Sequence, residues 1–283
     1  MLEKRNFYIN GQWTAPAAAN DYPVIDPSTE EQCAVISLGD EADTNAAVAA
    51  ARGAFDSWSQ TSKEERTALI RKLAEIYDSR QEEMAQAMSM EMGAPIMLSR
   101  QQQVGAGSWH IGGFLNAFED FSFESDFTST EKTLREPIGV CALITPWNWP
   151  MNQIILKVIP AIATGCTVVL KPSEIAPLSG VLFAEFMDEA GFPAGVFNLV
   201  NGDGVGVGSQ LSAHPDVDMV SFTGSTRAGI AISKAAADTL KRVSLELGGK
   251  GANIIFEDAD PKAAKLGAIR CFRNSGQSCN APT

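Results

Sequence analysis

Ile138-Gly139-Val140-Cys141-Ala142-Leu143-Ile144 runs directly into Thr145-Pro146-Trp147-Asn148-Trp149-Pro150. The apolar run reads as a buried strand, and the two prolines stop it, because each fixes a backbone angle and removes a donor. Downstream the same rhythm repeats. Further strands are expected over residues 167–170, 196–199, 219–222 and 252–256, and helices over 151–164, 178–190, 204–212 and 226–240. Strands that alternate with helices form a parallel sheet covered on both faces. Ligands of such sheets bind beyond the carboxyl ends of the strands. Trp147-Asn148, Lys171-Pro172-Ser173-Glu174, Gly202-Asp203-Gly204 and Gly224-Ser225 all fall at those ends.

Upstream the pattern differs. Phe7 to Trp13 alternates around Asn10-Gly11 and reads as a small hairpin. Residues 22–25 and 31–36 read as strands joined through the turn Asp26-Pro27-Ser28-Thr29. A helix is expected over 42–58, and a second from Ser62, where Glu65 completes a capping box. Leu69, Ile70, Leu73, Ile76 and Tyr77 form its apolar stripe. The methionines between Met84 and Met97 have helical spacing and read as core rather than as a metal or partner face. Gly93-Ala94-Pro95 breaks that helix, and another is expected over 96–118. Residues 121–137 alternate aromatic, polar and charged side chains and read as an extended ribbon. Its aromatics need cover, which marks it as a subunit contact.

Composition narrows the function. The 283 residues are 45% hydrophobic with a net charge of −12, enough for a sizeable core and unsuited to nucleic acid or an anionic membrane surface. Met1 to Asn6 is charged and unlike a signal peptide, and the most apolar run, 154–170, is broken by Lys157 and Pro160 and is too short to span a bilayer. Five cysteines without C-x-x-C spacing point to reduced thiols and a cytoplasmic location. With only His110 and His214 available, neither a histidine triad nor a metal site is expected. His214, before Pro215, reads as a helix-end cap and His110 as packing beside Trp109. Cys141 and Cys166 read as inert strand packing, and Cys271 as core-facing on a helix.

Three stretches carry candidate chemistry. Phe272-Arg273-Asn274-Ser275-Gly276-Gln277-Ser278-Cys279 places a thiol on a glycine-containing turn behind a helix expected over 261–272. A thiol there can be solvent-accessible, as a nucleophile must be. Leu245-Glu246-Leu247-Gly248-Gly249-Lys250 sets one carboxylate in an apolar strand end before two glycines, a setting for a general base. Asn148, held between two tryptophans and two prolines, is a rigid amide of the kind that stabilises an oxyanion. Each alone has a plainer reading: a structural thiol, a surface carboxylate before a turn, a turn amide. The dinucleotide fingerprint G-x-G-x-x-G is absent, and the glycines of 202–208 have the wrong spacing for it. Phe222-Thr223-Gly224-Ser225-Thr226 is the better phosphate site, with a glycine and a hydroxyl opening a helix, although an ordinary serine cap explains it equally.

Taken together and in order, Pro146-Trp147-Asn148-Trp149-Pro150, Lys171-Pro172-Ser173-Glu174, Phe222-Thr223-Gly224-Ser225, Glu246-Leu247-Gly248-Gly249-Lys250 and Gly276-Gln277-Ser278-Cys279 resemble the motifs of the NAD(P)-dependent aldehyde dehydrogenase superfamily, in its hydrolytic, non-CoA-acylating branch. The resemblance covers nearly the whole chain. It implies an α/β fold: a doubly wound parallel-sheet nucleotide-binding domain, the start of a second α/β catalytic domain, and an extended oligomerisation hairpin. The implied division is 1–119 with 138–248 for NAD binding, 120–137 for the hairpin, and 249–283 for the start of the catalytic domain. The implied reaction oxidises an aldehyde to a carboxylic acid. Cys279 attacks, Asn148 and the Cys279 N–H hold the oxyanion, hydride passes to NAD, and Glu246 activates the water that hydrolyses the thioester.

The implied cofactor residues fall at the strand ends. They are Ile144, Thr145, Pro146 and Trp147; Lys171, Ser173 and Glu174; Gly204; Phe222, Thr223, Gly224 and Ser225; and Leu247 with Gly248. Lys171 can bond ribose hydroxyls, and a carboxylate at Glu174 accepts from a 2′-OH and repels a 2′-phosphate, which favours NAD over NADP. A solvated turn is the plainer reading of that loop. Met151, Trp109 and Leu98 are implied substrate liners and suit a neutral or apolar aldehyde, though core packing explains them equally. A homodimer or homotetramer is implied as the assembly. The chain stops four residues past Cys279, where family members continue, so an N-terminal fragment with little turnover is expected. Two other readings stay open. A cysteine acyl hydrolase or transferase without redox chemistry would need a His or Lys partner for Cys279. A non-catalytic nucleotide-binding fragment would bind cofactor without turnover.

Overall fold

The computed structural model describes residues 1–249, 251–270 and 274. It opens with β1 (Leu2–Lys4) and the hairpin of β2 (Phe7–Ile9) and β3 (Gln12–Thr14). Asn10 and Gly11 take φ values of 52° and 73°, the left-handed pair that a two-residue hairpin requires. β4 (Asp21–Asp26) pairs antiparallel with β5 (Glu31–Ser37), and β1 joins β5 in parallel to complete a small three-stranded sheet. α1 (Glu41–Ser59) and α2 (Lys63–Ser79) each start at a capping box. The Ser62–Glu65 box is the expected one; the box at Asp40 and Asp43 goes beyond the sequence reading. α3 (Gln81–Met92) buries Met84, Met88 and Met92 along one stripe and ends at Gly93 in the left-handed conformation.

The helix expected over 96–118 is interrupted. α4 (Ile96–Leu98) passes into a π-helical turn, Ser99–Gln103, before α5 (Val104–Glu119). The wider turn changes the phase of the helix and leaves Ser99 and Gln103 fully buried. The expected ribbon forms as an isolated pair, β6 (Glu124–Asp126) and β7 (Lys132–Leu134). Its aromatics find part of their cover within the chain. Phe121 and Phe123 pack on Phe118, and Lys63, Arg66 and Arg135 lie over these rings. Phe127 remains 76% exposed.

β8 (Val140–Ile144), α6 (Pro150–Ala163), β9 (Thr167–Lys171), α7 (Leu178–Ala190), β10 (Phe197–Leu199), α8 (Val207–Ala213), β11 (Met219–Gly224), α9 (Thr226–Ala237) and β12 (Arg242–Leu247) follow in alternation. The main sheet has the order β12-β11-β8-β9-β10-β2-β3. Its first five strands are parallel, and the N-terminal hairpin extends the sheet antiparallel to β10. Side chains alternate between two cores. Leu143, Val168 and Leu170 face α2, α5, α6 and α7, while Val140, Ala142, Val169 and Val220 face α1, α8 and α9. The sheet is therefore wound on both sides, as the alternation of strand and helix requires.

One expected strand does not form. Residues 251–256 have no regular structure, and Ile254, Ile255 and Phe256 are all more than half exposed. An isolated strand satisfies neither its backbone groups nor its apolar side chains, and none of the described strands lies beside it. α10 (Pro261–Arg270) follows; the expected continuation to Phe272, and Cys271, lie outside the described residues. His214 ends α8, and its Nδ1 accepts from the Asp216 N–H at 3.1 Å, as expected of a cap. His110 pairs with Asn152 Oδ1 at 2.6 Å.

Glu91 provides an unexpected brace. Its fully buried carboxylate, on α3, accepts from the Leu178 and Ser179 N–H groups that α7 leaves unpaired at its start. Burial pushes this carboxyl up from 4.5 to about 7, against the pull of those donors. Between these values the folded state binds the extra proton, so the contribution of Glu91 to stability is lost as pH rises from 4.5 to about 7. Glu91→Gln keeps an acceptor and cannot ionise. Urea unfolding of that variant should lose this slope; an unchanged slope assigns the pH dependence elsewhere.

Candidate active site

The strand order reverses direction between β8 and β11. From β8 the chain steps outward through β9 to β10, then returns with β11 on the other side of β8. The loops after β8 and β11 therefore diverge and leave a crevice at the carboxyl edge. Register places Lys171, Ile144, Phe222 and Leu245 in one row across four strands. The sequence-selected residues thus come to one edge: Ile144, Thr145, Pro146 and Trp147 on one side of the crevice, and Phe222, Thr223, Gly224 and Ser225 on the other. Thr145 is held by its N–H to the Lys171 carbonyl at 3.1 Å, and Gly248 by its N–H to the Gly224 carbonyl at 3.0 Å. Gly204 follows β10, so β8 and β9 separate it from β11.

Three polar side-chain atoms on or just after the strand ends at this edge lack hydrogen-bond partners among the described residues. The Thr145 and Thr223 hydroxyls are buried and have no hydrogen-bond partner among the described residues, and neither has the Trp149 indole N–H. A buried hydroxyl left unpaired is costly, so such a group at a strand-end crevice suits a polar ligand. Ser225 caps α9, its Oγ accepting from the Ala228 N–H at 3.2 Å. The plain serine-cap reading is therefore met, and what remains for an anion is the main-chain N–H groups of the first turn. A Cβ at Gly224 would meet the far end of the Phe222 ring at 2.5 Å, so the ring would have to shift to admit any other residue.

Lys171 is 3% exposed and pairs with Glu174 at 3.1 Å. Burial pulls its ammonium below the ordinary lysine range, and the charges of Glu174 and Asp203 oppose that. Ser173 Oγ accepts from the Ile175 N–H at 3.3 Å and shapes the turn that holds Glu174 beside the lysine.

Glu246 lies on β12, at the edge of the sheet. The sequence puts it inside an apolar strand end, but the structure leaves it exposed, because an edge strand is covered on fewer sides. Leu245 and Leu247 take the apolar face, against Gly229 of α9. Alternation turns Glu246 to the opposite face, with Ser221 and Thr223 of β11. Lys157 reaches the same face from α6. Its Nζ donates to Ser221 Oγ at 2.9 Å. Burial lowers this amine and the charge of Glu246 partly opposes it, leaving it at about 8. Sequence reading treats Lys157 only as a break in an apolar run. One charge in an otherwise apolar helix was the signal that could have found it.

Asn148 sits just ahead of α6. Its main-chain carbonyl accepts from Gln103 Nε2 at 3.1 Å and from Asn274 Nδ2 at 2.7 Å. Cys279, the candidate nucleophile, lies outside the described residues, as do Lys250 and the Gly276-Gln277-Ser278 turn. Of the implied substrate liners, Met151 and Leu98 are buried and Trp109 is 71% exposed.

A family model described as "Aldehyde dehydrogenase family" matches residues 13–283. Among curated proteins the chain is similar to 3-succinoylsemialdehyde-pyridine dehydrogenase of a Pseudomonas species, at 54% identity over the whole chain and 60% of that protein. Among solved structures it is similar to an aldehyde dehydrogenase from Bartonella henselae, with a TM-score of 0.98 and 60% identity over 100% of this chain and 60% of that one. It is also similar to a cysteine-to-alanine mutant of aldehyde dehydrogenase C from Pseudomonas syringae, complexed with NAD+ and octanal. There the TM-score is 0.95, with 52% identity over 99% of this chain and 57% of that one. The chain thus spans about 60% of the length of these relatives.

Proposed function

The chain belongs to the aldehyde dehydrogenase family, and on that premise we propose that it carries the cofactor-binding half of an NAD-dependent oxidation of an aldehyde to a carboxylic acid. The observation that carries the proposal is the pair of hydroxyls, Thr145 and Thr223, that have no partner among the described residues and belong to the strand ends on the two sides of the strand-reversal crevice. Residues 1–119 with 138–248 serve the cofactor, and 249–283 begins the catalytic part. The exposed Phe127 and Leu134 of the β6–β7 ribbon support a contact between copies in a dimer or tetramer.

The residues present fit a dinucleotide. The α9 start and Ser225 would receive a phosphate, Lys171, Ser173 and Glu174 a ribose, and Ile144 to Trp147 with Gly204, Leu247 and Gly248 the rest. When bound, NAD supplies the hydride acceptor. Cys279 forms a C–S bond to the aldehyde carbon as its thiolate. The Asn148 side-chain amide and the Cys279 N–H stabilise the oxyanion that develops, roughly 3 kcal/mol for one such donor. Glu246 takes the proton of the water that hydrolyses the thioester left on Cys279. Lys157 holds a positive charge on that side of the sheet up to about pH 8.

Glu174 supports the choice of cofactor. With a carboxylate beside the ribose-binding lysine, a 2′-phosphate would be repelled. Absorbance at the NADH band is measured with octanal, for this chain and for the chain carried to its relatives' full length. The longer protein should reduce NAD at least about tenfold more efficiently than NADP, the cost of one unfavourable charge contact of roughly 1.4 kcal/mol. Equal efficiency with both removes Glu174 from that role. NAD binding without NADH formation across a panel of aldehydes would favour a binding module instead.

A further inference from the structure

We propose that Gln103 and Asn274 are positioning residues that clamp the segment leading to Cys279 onto the main chain of Asn148. The inference rests on the roles proposed above for Cys279 and Asn148. Three hydrogen bonds form a closed triangle. Gln103 Nε2 donates to the Asn148 carbonyl at 3.1 Å and to Asn274 Oδ1 at 2.7 Å, and Asn274 Nδ2 donates to the same carbonyl at 2.7 Å. Both lone pairs of the Asn148 carbonyl are thereby used, and both N–H bonds of the Gln103 amide. The three groups come from distant parts of the chain: Gln103 is 45 residues from Asn148 and 171 from Asn274.

Burial makes this contact expensive unless it is kept. Gln103 is fully buried and Asn274 is 2% exposed. Polar amides in such places are costly when unpaired, and core packing alone would be served by an apolar residue. The chain also departs from regular helix to place Gln103, which is the last residue of the π-helical turn. Its Oε1 has no hydrogen-bond partner among the described residues, so the side chain is oriented by its donors.

The consequence is a distance constraint. Cys279 follows Asn274 by five residues of chain, which at about 3.3–3.6 Å per residue can reach no further than roughly 18 Å from the anchor. The anchor is bonded to the residue whose amide would hold the oxyanion. Nucleophile and oxyanion donor are thus referenced to one carbonyl rather than to two independent loops. A clamp of this kind acts on geometry at the reacting carbon and leaves cofactor affinity alone.

The test uses Gln103→Met, which keeps length and loses both donors, Asn274→Ala, and the double variant, in the full-length protein. Each single variant should lower kcat about 10- to 100-fold, the scale expected for a misplacement near 1 Å, with the Kd for NAD within about twofold. The double variant should fall no further than the worse single, because both remove one clamp. In cofactor-free protein the alkylation rate of Cys279 by iodoacetamide should shift by about fivefold or more, with Cys141 and Cys166 still protected. Asn274→Ala, which only removes atoms, carries the test if Gln103→Met does not fold. A folded variant with unchanged kcat and unchanged alkylation overturns the clamp, as do strictly additive losses in the double variant. If Cys279→Ala retained turnover, the proposed function would fall, and the alkylation rate would still decide the clamp.

Discussion

In the full-length protein, replacing Cys279 with alanine should reduce NADH formation to the background rate and leave NAD binding intact. The expected loss is about four orders of magnitude or more, because removing a covalent nucleophile removes the route and not merely one contact along it. The other described thiols offer no substitute. Cys141 and Cys166 are 2% and 4% exposed and lie in the core beneath α6. Cys33 is on β5 of the small sheet, where its Sγ donates to the Val24 carbonyl at 3.3 Å and burial pushes its thiol up. None is at the carboxyl edge of the main sheet. The proposed cofactor residues, in contrast, lie between residues 144 and 248, at strand ends and turns well before Cys279 in the chain, so titration of the variant with NAD should give an unchanged Kd. Full turnover by Cys279→Ala would remove this thiol from the chemistry. Loss of NAD binding together with turnover would mean that the segment around Cys279 supports the crevice itself.

The reach of the sequence follows from what kind of physics fixes each feature. Parallel strands buried on both faces are continuous apolar runs, so β8 and β9 were legible to within a residue or two. Capping at Ser62 is local chemistry within four residues, and it was legible too. The π-helical turn was not. It depends on where Gln103 must point, and its bonding partners are Asn148 and Asn274, which local pattern cannot supply. Attachment of the β2–β3 hairpin to β10 is likewise a long-range pairing, through Tyr8 and Leu199. Residues 251–256 have the composition of a strand but no described neighbour to pair with, and composition alone does not reveal that. For the site, motif order brought the strand-end residues together, whereas exposure of Glu246 and its coupling to Lys157 depend on which strand lies at the sheet edge.

In the full-length protein, replacing Glu246 with glutamine should separate the two halves of the proposed reaction. Glutamine keeps the shape and cannot accept a proton from water. Acyl-enzyme formation should then proceed while hydrolysis stalls. Rapid mixing with aldehyde and NAD should show a burst of about one NADH per active site, followed by a steady state about 10²- to 10⁴-fold slower than the parent, the range of general-base contributions. Small nucleophilic amines added after the burst should restore turnover, since they attack the thioester without needing a base. Loss of the burst itself would place Glu246 before hydride transfer, and an undiminished steady state would exclude it as the base. A second readout is independent of turnover. The Lys157 amine, lowered by burial and partly raised by the charge of Glu246, stands at about 8. Glutamine removes that charge, so the amine should titrate at lower pH in the variant, as read by NMR of its Nζ. The cation would then persist over a narrower pH range, because burial still disfavours it and the nearby carboxylate is gone. An unmoved lysine titration would mean that the two groups are not neighbours in solution, and Glu246 would have to be placed on the other side of the sheet edge.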